Sequence, residues 1–374
     1  MKSLWNLLTV AAVLVVPACA DDATPTGPVA PDEASLDAHR GRSVGGRGLT
    51  VMTQNLYVGT DVDAVIAALA SPDPDDDIPA LLTAVATVER TDFPARARAL
   101  AREIRRRRPE VIGLQEVSVI GVDIPPLGVS VHLDFLQILQ AALHAEGLEY
   151  AVGASQVNFT AAPAPGISLS DLDVILVDQG RVTVTATSAH TFSANLGVVA
   201  PGVDLQRGWV TIEAEIGGRS YTIANTHTEG TGPDELLLGL HQYQLMELVA
   251  TLGTASPAIV LGDLNTTPGT PGYDELVNGG FTDAWATLRP GVDGFTCCHL
   301  ADLSNLRAPF TERIDYVWTR GLGDTHGRHR LLGQADLYGD VPSDRIRNSA
   351  GQLIWPSDHA GLTANILLPP GHSR

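Results

Sequence analysis

The chain has 374 residues, 44% hydrophobic and 18% charged, an ordinary composition for a folded globular protein and long enough for one large domain or two modest ones. Its formal net charge is −19 and Lys2 is its one lysine. That balance argues against unspecific adhesion to nucleic acid through basic patches, although bound divalent cations can offset a local deficit of positive charge. Three cysteines are too few for a disulfide framework.

The N-terminal segment is not expected to join the fold. Lys2 precedes an apolar run from Leu7 to Val16, too short to span a bilayer as a helix, so residues 1–18 read as a signal peptide. The run ends at Val16-Pro17-Ala18-Cys19. Small residues before a cysteine resemble a bacterial lipobox, which implies that Cys19 becomes a lipidated N-terminus. The expectation is an exported protein on a cell-envelope membrane; free secretion is the alternative. The rest of the segment 19–48 is rich in Asp, Pro, Thr, Gly and Ser, and such a stretch buries too little apolar surface to fold. It reads as a tether. One domain is expected over 49–369, with a short tail at 370–374, and the chain is expected to be a monomer.

Leu49–Thr53 opens the domain as a strand leading to Asn55. Asp61–Ala70 and Pro79–Val88 read as helices joined by an acidic turn from Ser71 to Asp77, which suits solvent better than a bound ion. Pro94–Arg107 reads as a helix with Ala97, Leu100, Ala101 and Ile104 on the buried side. Its arginines (Arg96, Arg98, Arg102 and Arg105–Arg108) form the opposite, solvated face. Pro109 ends that helix, and Val111–Leu114 reads as a buried strand stopping at Gln115-Glu116. Leu133–His144 is a helix, followed by a strand around Tyr150. Asp173–Val177 and Val182–Ala186 read as paired strands. Trp209–Ile216 and Ser220–Asn225 form a hairpin across Gly217-Gly218. Pro233–Leu252 is a helix, Ala258–Leu261 a buried strand stopping at Gly262-Asp263, and Ile314–Trp318 and Leu362–Leu367 the last strands. Alternating strands and helices interrupted by hairpins imply mixed sheets.

Chemistry gathers where apolar strands stop at polar residues. Five segments share this design: Val51–Asn55, Val111–Glu116, Tyr221–His227, Ile259–Asn265 and Arg313–Tyr316, and a sixth, Trp355–His359, precedes the final strand. Carboxylates, amides and imidazoles at strand ends can converge above a sheet, and Glu and Asn oxygens suit a hard cation such as Mg²⁺ or Ca²⁺. Taken in order, Gln-Glu, Asn-Thr-His, Gly-Asp-x-Asn, Arg-Ile-Asp-Tyr and Ser-Asp-His resemble the motifs of the endonuclease/exonuclease/phosphatase superfamily, which includes DNase I-like nucleases and bacterial sphingomyelinases.

That resemblance implies a four-layered α/β sandwich, two mixed sheets packed face to face with helices outside. It implies hydrolysis of phosphodiester bonds with Mg²⁺, or with Ca²⁺ or Mn²⁺ in its place. Glu116, with Asn55 beside it, would hold the cation, and Asp358 would add to its shell or bond to His227. His359 would act as general base or clamp the phosphate as imidazolium, with Asp315 fixing its tautomer. Asp263 would orient or deprotonate water, Asn265 would bond phosphoryl oxygens, and His227 would donate to the phosphate or protonate the leaving group. A nuclease-like substrate is favoured, a phospholipase C- or sphingomyelinase-like one is the alternative, and a non-catalytic surface-binding lipoprotein is a third reading.

Three positions depart from relatives. Tyr57 stands where some abasic-site endonucleases carry an acid. Thr266-Thr267-Pro268 after Asn265 disfavours the inositol polyphosphate branch. Asp178 stands near an expected Ser-Arg, which leaves Arg181 and Arg207 as candidates for a phosphate-clamping arginine. His241, His299, His326 and His329 match no motif and read as surface or supporting residues. Cys297 and Cys298 are adjacent, so they form either a vicinal disulfide or two packed thiols; Thr296 to His299 alone cannot wrap a zinc ion because neighbouring side chains diverge.

Overall fold

Period-two alternation in the central strands dictates how the layers stack. The computed structural model describes residues 48–368 apart from 74, 232–234 and 324–330. The segments expected to be a signal peptide, a tether and a tail, together with Cys19, His326 and His329, lie outside the described residues.

Among the described residues the first sheet has ten strands. Its order is Gly333–Tyr338, Gly361–Leu367, Gly48–Asn55, Val111–Gln115, Ile167–Asp178, Tyr150–Ala161, Val203–Leu205 and Gly197–Ala200. A hairpin of Val119–Ile124 and Val129–Asp134 joins it along Ile167–Asp178. The second sheet has six strands, in the order Thr282–Asp283, Asp315–Arg320, Ala258–Asp263, Arg219–His227, Gly208–Ile216 and Val182–Thr191. Each sheet has a parallel pair at its centre, Gly48–Asn55 with Val111–Gln115 and Arg219–His227 with Ala258–Asp263, and antiparallel neighbours around it. Ile346–Arg347 and Leu353–Ile354 form a separate ribbon.

The described helices are α1 (Val62–Ala70), α2 (Asp77–Thr91), α3 (Phe93–Arg107), α4 (Phe135–Ala145), α5 (Glu235–Leu252), α6 (Pro271–Asn278) and α7 (Ala284–Leu288). Val51, Val111 and Ile175 of the first sheet meet Ile223, Ile259, Leu261 and Val317 of the second. Their chain neighbours face outward. Met52, Ile112, Leu114 and Leu176 pack under Leu100 and Ile104 of α3 and Phe135 and Leu139 of α4. Ala224, Val260 and Trp318 pack under Leu245 and Leu248 of α5 and Leu276 of α6. Each buried aliphatic side chain contributes about 1.5–3 kcal/mol of transfer free energy. The result is the expected four-layered sandwich.

At the end of the sandwich where the parallel strands stop, the sheets come unusually close. A Cβ on Gly113 would lie 2.5 Å from Asn225 Oδ1 and 2.8 Å from Leu261 Cβ, so only glycine fits. There Gln115 Nε2 donates to Asn225 Oδ1 at 2.6 Å, and Asn225 Nδ2 donates to the carbonyls of Leu114 (2.9 Å) and Val174 (3.2 Å). Gln115 and Asn225 are thus a clasp between the sheets rather than reacting groups.

Two expectations are corrected. Asp173–Val177 and Val182–Ala186 do not pair: the first lies within Ile167–Asp178 between Val111–Gln115 and Tyr150–Ala161, and the second belongs to the other sheet beside Gly208–Ile216. The Gln179-Gly180 turn carries the chain between the sheets, and a short turn between apolar strands reads alike for a hairpin and for such a crossing. Arg96 is not on a solvated face; it is 1% exposed. Its guanidinium donates to the carbonyls of Thr91 (2.9 Å), Tyr57 (2.9 Å) and Leu56, and reaches that of Pro356 at 3.4 Å. Those acceptors satisfy most of its fork of donors, which offsets the cost of burying the charge. Arg96 thereby braces the loop after Asn55 against the loop before His359.

Candidate active site

Register places the site residues before any side chain is considered. His227 is the cross-strand partner of Asp263, and Asp263 of Asp315, so the three form one row across the end of the second sheet. Asn55 pairs with Gln115 in the first sheet, which puts Glu116 one residue past the facing edge. The chain leaves these strands sharply. Tyr57, Glu116 and Asn265 have φ of 59°, 53° and 44°, a left-handed backbone that costs non-glycine residues free energy and clusters at functional sites. Side chains hold them there: Tyr57 N–H donates to Asn55 Oδ1 (2.8 Å), Val58 N–H to Glu116 Oε2 (2.8 Å), and Asn265 N–H to Asp263 Oδ1 (3.1 Å). Gly262 is required in Gly-Asp-x-Asn, because a Cβ there would stand 2.1 Å from the Thr226 carbonyl oxygen.

Asn55 Nδ2 bridges the walls, donating to Glu116 Oε1 (2.9 Å) and Asp263 Oδ2 (3.1 Å). Its carboxamide thus faces the carboxylates as a donor, and its oxygen is engaged by Tyr57. Asn265 Nδ2 donates to the Thr228 carbonyl at 3.0 Å. His359 Nδ1 donates to Asp315 Oδ2 at 2.9 Å, which leaves Nε2 toward the cleft, 3.9 Å from Asp358 Oδ1. His227 has the opposite tautomer: Arg207 Nη1 donates to its Nδ1 at 3.1 Å, so the neutral ring carries its proton on Nε2, 3.6 Å from Asp263 Oδ2. The same Asp263 oxygen lies 3.7 Å from His359 Nδ1.

The electrostatics sort these groups. Burial together with the charges of Arg207 and His359 holds His227 well below its ordinary pKa. Burial also opposes charge on His359, but Asp315, Asp358 and Asp263 outweigh it and hold that imidazole well above its ordinary value. Burial and repulsion from Asp315 push Asp263 up to about 7 against the pull of His359. Burial pushes Asp358 up to about 7, with Glu116 adding repulsion against the pull of His359.

Sequence reasoning missed two acids. Asp171 and Asp173 face inward on the strand Ile167–Asp178, 7% and 0% exposed. Asp173 Oδ2 accepts the His227 backbone N–H at 2.9 Å, and burial raises its carboxyl to about 7. Asp171, which accepts from Ser118 Oγ at 3.0 Å, is held well above the ordinary carboxylate range by burial and by the charges of Glu116 and Asp173. Two acids at i and i+2 within an apolar strand were the available signal.

The arginine question resolves by location. Arg207 lines the cleft, 3.6 Å from Glu229. Arg181 bonds Glu110 and Asp178 at 2.6 and 2.8 Å and is no part of the cleft. Tyr57 donates its hydroxyl to the Ala301 carbonyl at 2.7 Å. His241 bonds the Leu264 carbonyl at 2.7 Å and backs the Gly-Asp-x-Asn loop. His299 stacks on Trp355 at 4.0 Å and bonds the Gly339 carbonyl at 2.9 Å. Cys297 and Cys298 are joined as a disulfide, one of the two states their adjacency left open.

Together these groups surround a cleft of about 390 Å³ lined by Glu116, His227, Asp263, Asn265, Asp358 and His359, with Arg207, Asp171 and Glu229 on one side. Acids whose protonation is promoted by one another's charge suit a bound cation, and the donors are carboxylate oxygens, which fits a hard divalent ion.

Comparison with known proteins bears on the fold and the family. No curated protein matches the chain. Solved structures share its fold. An endonuclease/exonuclease/phosphatase from Beutenbergia cavernae is 20% identical at a TM-score of 0.54, covering 86% of this chain and 72% of that one. One from Bacteroides vulgatus is 16% identical at 0.53, covering 86% and 100%. A mannosyl-6-phosphatase from Bacteroides thetaiotaomicron is 17% identical at 0.51, covering 86% and 100%. The model of the Endonuclease/Exonuclease/phosphatase family, whose members are phosphoesterase hydrolases dependent on divalent metals, matches residues 52–359. With that match spanning every strand-end residue of the cleft from Asn55 to His359, this chain belongs to the Endonuclease/Exonuclease/phosphatase family.

Proposed function

We propose that this chain is an exported, divalent-cation-dependent phosphodiesterase, tethered to a membrane through a lipidated Cys19. The observation that carries the catalytic reading is the pair of histidines on either side of Asp263, 3.6 and 3.7 Å from its Oδ2, one bonded at Nδ1 by Arg207 and the other by Asp315. Glu116 and Asp358 would hold the cation, which neutralises charge at a phosphate oxygen when bound. Asn55 orients Glu116. His359, kept as imidazolium by Asp315, clamps a phosphoryl oxygen through Nε2–H, so of the two roles open to it the clamp is favoured. His227 donates Nε2–H as a neutral ring. Asp263 accepts the proton of the attacking water, and Asn265 holds phosphoryl oxygens.

Two substrate classes fit different features of the sequence and the cleft. The Asn-Thr-His segment and the absence of inositol-phosphatase signatures support a nuclease-like enzyme. The surroundings of the cleft support a phospholipid: Asp63, Asp171 and Glu229 repel a polyanion, and an apolar cavity of about 90 Å³ adjoins the cleft through Val58, Val62, Ile66, Phe159 and Leu169. Plasmid DNA, RNA, sphingomyelin, a sugar phosphate and bis-p-nitrophenyl phosphate, each assayed with and without Mg²⁺, separate the readings. Chelation should abolish turnover and Glu116→Gln should weaken cation binding in calorimetry. Full activity after thorough chelation would overturn the cation requirement. Mass spectrometry of the mature N-terminus tests the anchor: an unmodified terminus at Ala20 or beyond would replace it with free secretion.

A further inference from the structure

Cys297 and Cys298 have no part in the chemistry above, yet they border it. Cys297 makes backbone bridges to His359 and to Glu312, and Cys298 Sγ lies 3.8 Å from His359 Nε2. That is the ring nitrogen left for the cleft, since Nδ1 is committed to Asp315. Adjacent side chains normally diverge, but these two sulfurs are joined to each other and therefore point to one side of their segment. Ligating atoms of Cys297, Cys298 and His359 all lie within 4.8 Å of one another. A tetrahedral site with metal–sulfur and metal–nitrogen bonds of about 2.0–2.3 Å has edges of roughly 3.5 Å, close to the 3.8 Å that separates Cys298 Sγ from His359 Nε2.

We propose that reduced Cys297 and Cys298 form, with His359, an inhibitory site for a soft divalent cation such as Cd²⁺ or Zn²⁺, distinct from the hard-cation site at Glu116 and Asp358. A dithiol reductant delivers two electrons and two protons to the disulfide, giving two thiols and an oxidised reductant. The cation then displaces both thiol protons and takes the lone pair of Nε2, after the proton there has left to solvent. His359 is thereby withdrawn from the phosphate. Thiolates favour soft ions and carboxylates hard ones, so excess Mg²⁺ does not compete at this site. Cys298 is exposed, which gives the cation a path without unfolding. The disulfide offers no thiolate, so oxidised protein is insensitive.

The test uses the full chain in a Cys19→Ser background, which leaves two cysteines. Oxidised and dithiol-reduced samples, freed of reductant, are titrated with Cd²⁺ in excess Mg²⁺ while thiolate-to-cadmium absorption is followed in the ultraviolet. The reduced protein should bind one Cd²⁺ per chain with that absorption, and its hydrolysis of bis-p-nitrophenyl phosphate should fall at least tenfold. The oxidised protein should show neither effect. Cys298→Ser should lose most of the absorption, and His359→Ala should keep it while binding at least tenfold more weakly. Absence of the band in reduced protein would overturn the site, and equal affinity in His359→Ala would remove the histidine from it. Equal inhibition of oxidised protein would place the cation elsewhere. The absorption signal needs no turnover, so it stands or falls separately from the phosphodiesterase assignment.

Discussion

His227 and His359 flank the same carboxylate oxygen, 3.6 and 3.7 Å from Asp263 Oδ2, yet their surroundings drive them to opposite charge states. The positive charges of Arg207 and His359 act on the first; three carboxylates, Asp315, Asp358 and Asp263, surround the second. Depth of burial does not separate them, since both are about 5% exposed. The difference lies in which neighbours the strand ends and the loops beyond them bring to each ring. It teaches that protonation here is a property of the assembled end of the sandwich, more than of either histidine.

Removing either ring should have the largest effect. His359→Ala and His227→Ala should each lower kcat on a diester substrate by about 10²–10⁴-fold, the usual scale for one acid–base or donor group. A loss under tenfold in a folded variant would take that histidine out of the reaction. Asp315→Asn breaks the contrast from one side. It should cost about 10²–10³-fold, and adding it to His359→Ala should cost little more, because its effect passes through that ring. Its signature in ¹⁵N NMR is a fall in the His359 pKa toward the ordinary value; additive losses in the double variant would mean an independent role.

Arg207→Met breaks the contrast from the other side with a smaller rate effect, about 10–100-fold. Loss of the neighbouring cation should raise the His227 pKa, so the ring begins to gain a proton as pH falls through the mildly acidic range. A His227 titration unchanged by this variant would detach the two residues. The pH–rate profile sharpens the comparison further. If Asp263 accepts the proton from water, activity should rise as pH rises through about 7 at limiting cation, the value to which burial and Asp315 push it. More Mg²⁺ should move that limb acidward, since a nearby cation favours the carboxylate. Arg181→Met should do least to the rate, leaving kcat within about twofold, because its ion pairs with Glu110 and Asp178 lie away from the cleft.

Much of this was legible in the sequence because apolar strands that stop at a polar residue carry their own address. Asn55, Glu116, His227, Asp263 and Asp315 sit at such ends and His359 just before the last strand; Glu116, His227, Asp263 and His359 line one cleft, with Asn55 and Asp315 buried against them. The hairpin at Gly217-Gly218 was equally plain, since its turn is local. What stayed hidden depended on partners distant in sequence. Asp171 and Asp173 looked like strand residues until His227, 54 positions from Asp173, bonded to one of them. Arg96 belonged to an arginine-rich helix face, and only the carbonyls of Leu56, Tyr57 and Pro356 account for its burial. The assignment of Val182–Thr191 to the opposite sheet depended on Gly208–Ile216, which no local pattern announces.

The first and last strands of the domain are immediate neighbours, Gly48 opposite Leu367 and Thr53 opposite Leu362. Asn55 ends one of them and His359 stands just before the other. The cleft is therefore closed by two segments some three hundred residues apart in the chain. Such long-range pairing is slow to form, because the entropy of closing the loop is spent before the contacts return it. A nascent or truncated chain can build the helical flanks and the hairpins while its hydrolytic centre stays unassembled. Activity is thus a late reporter of folding, appearing only when the two ends of the domain meet.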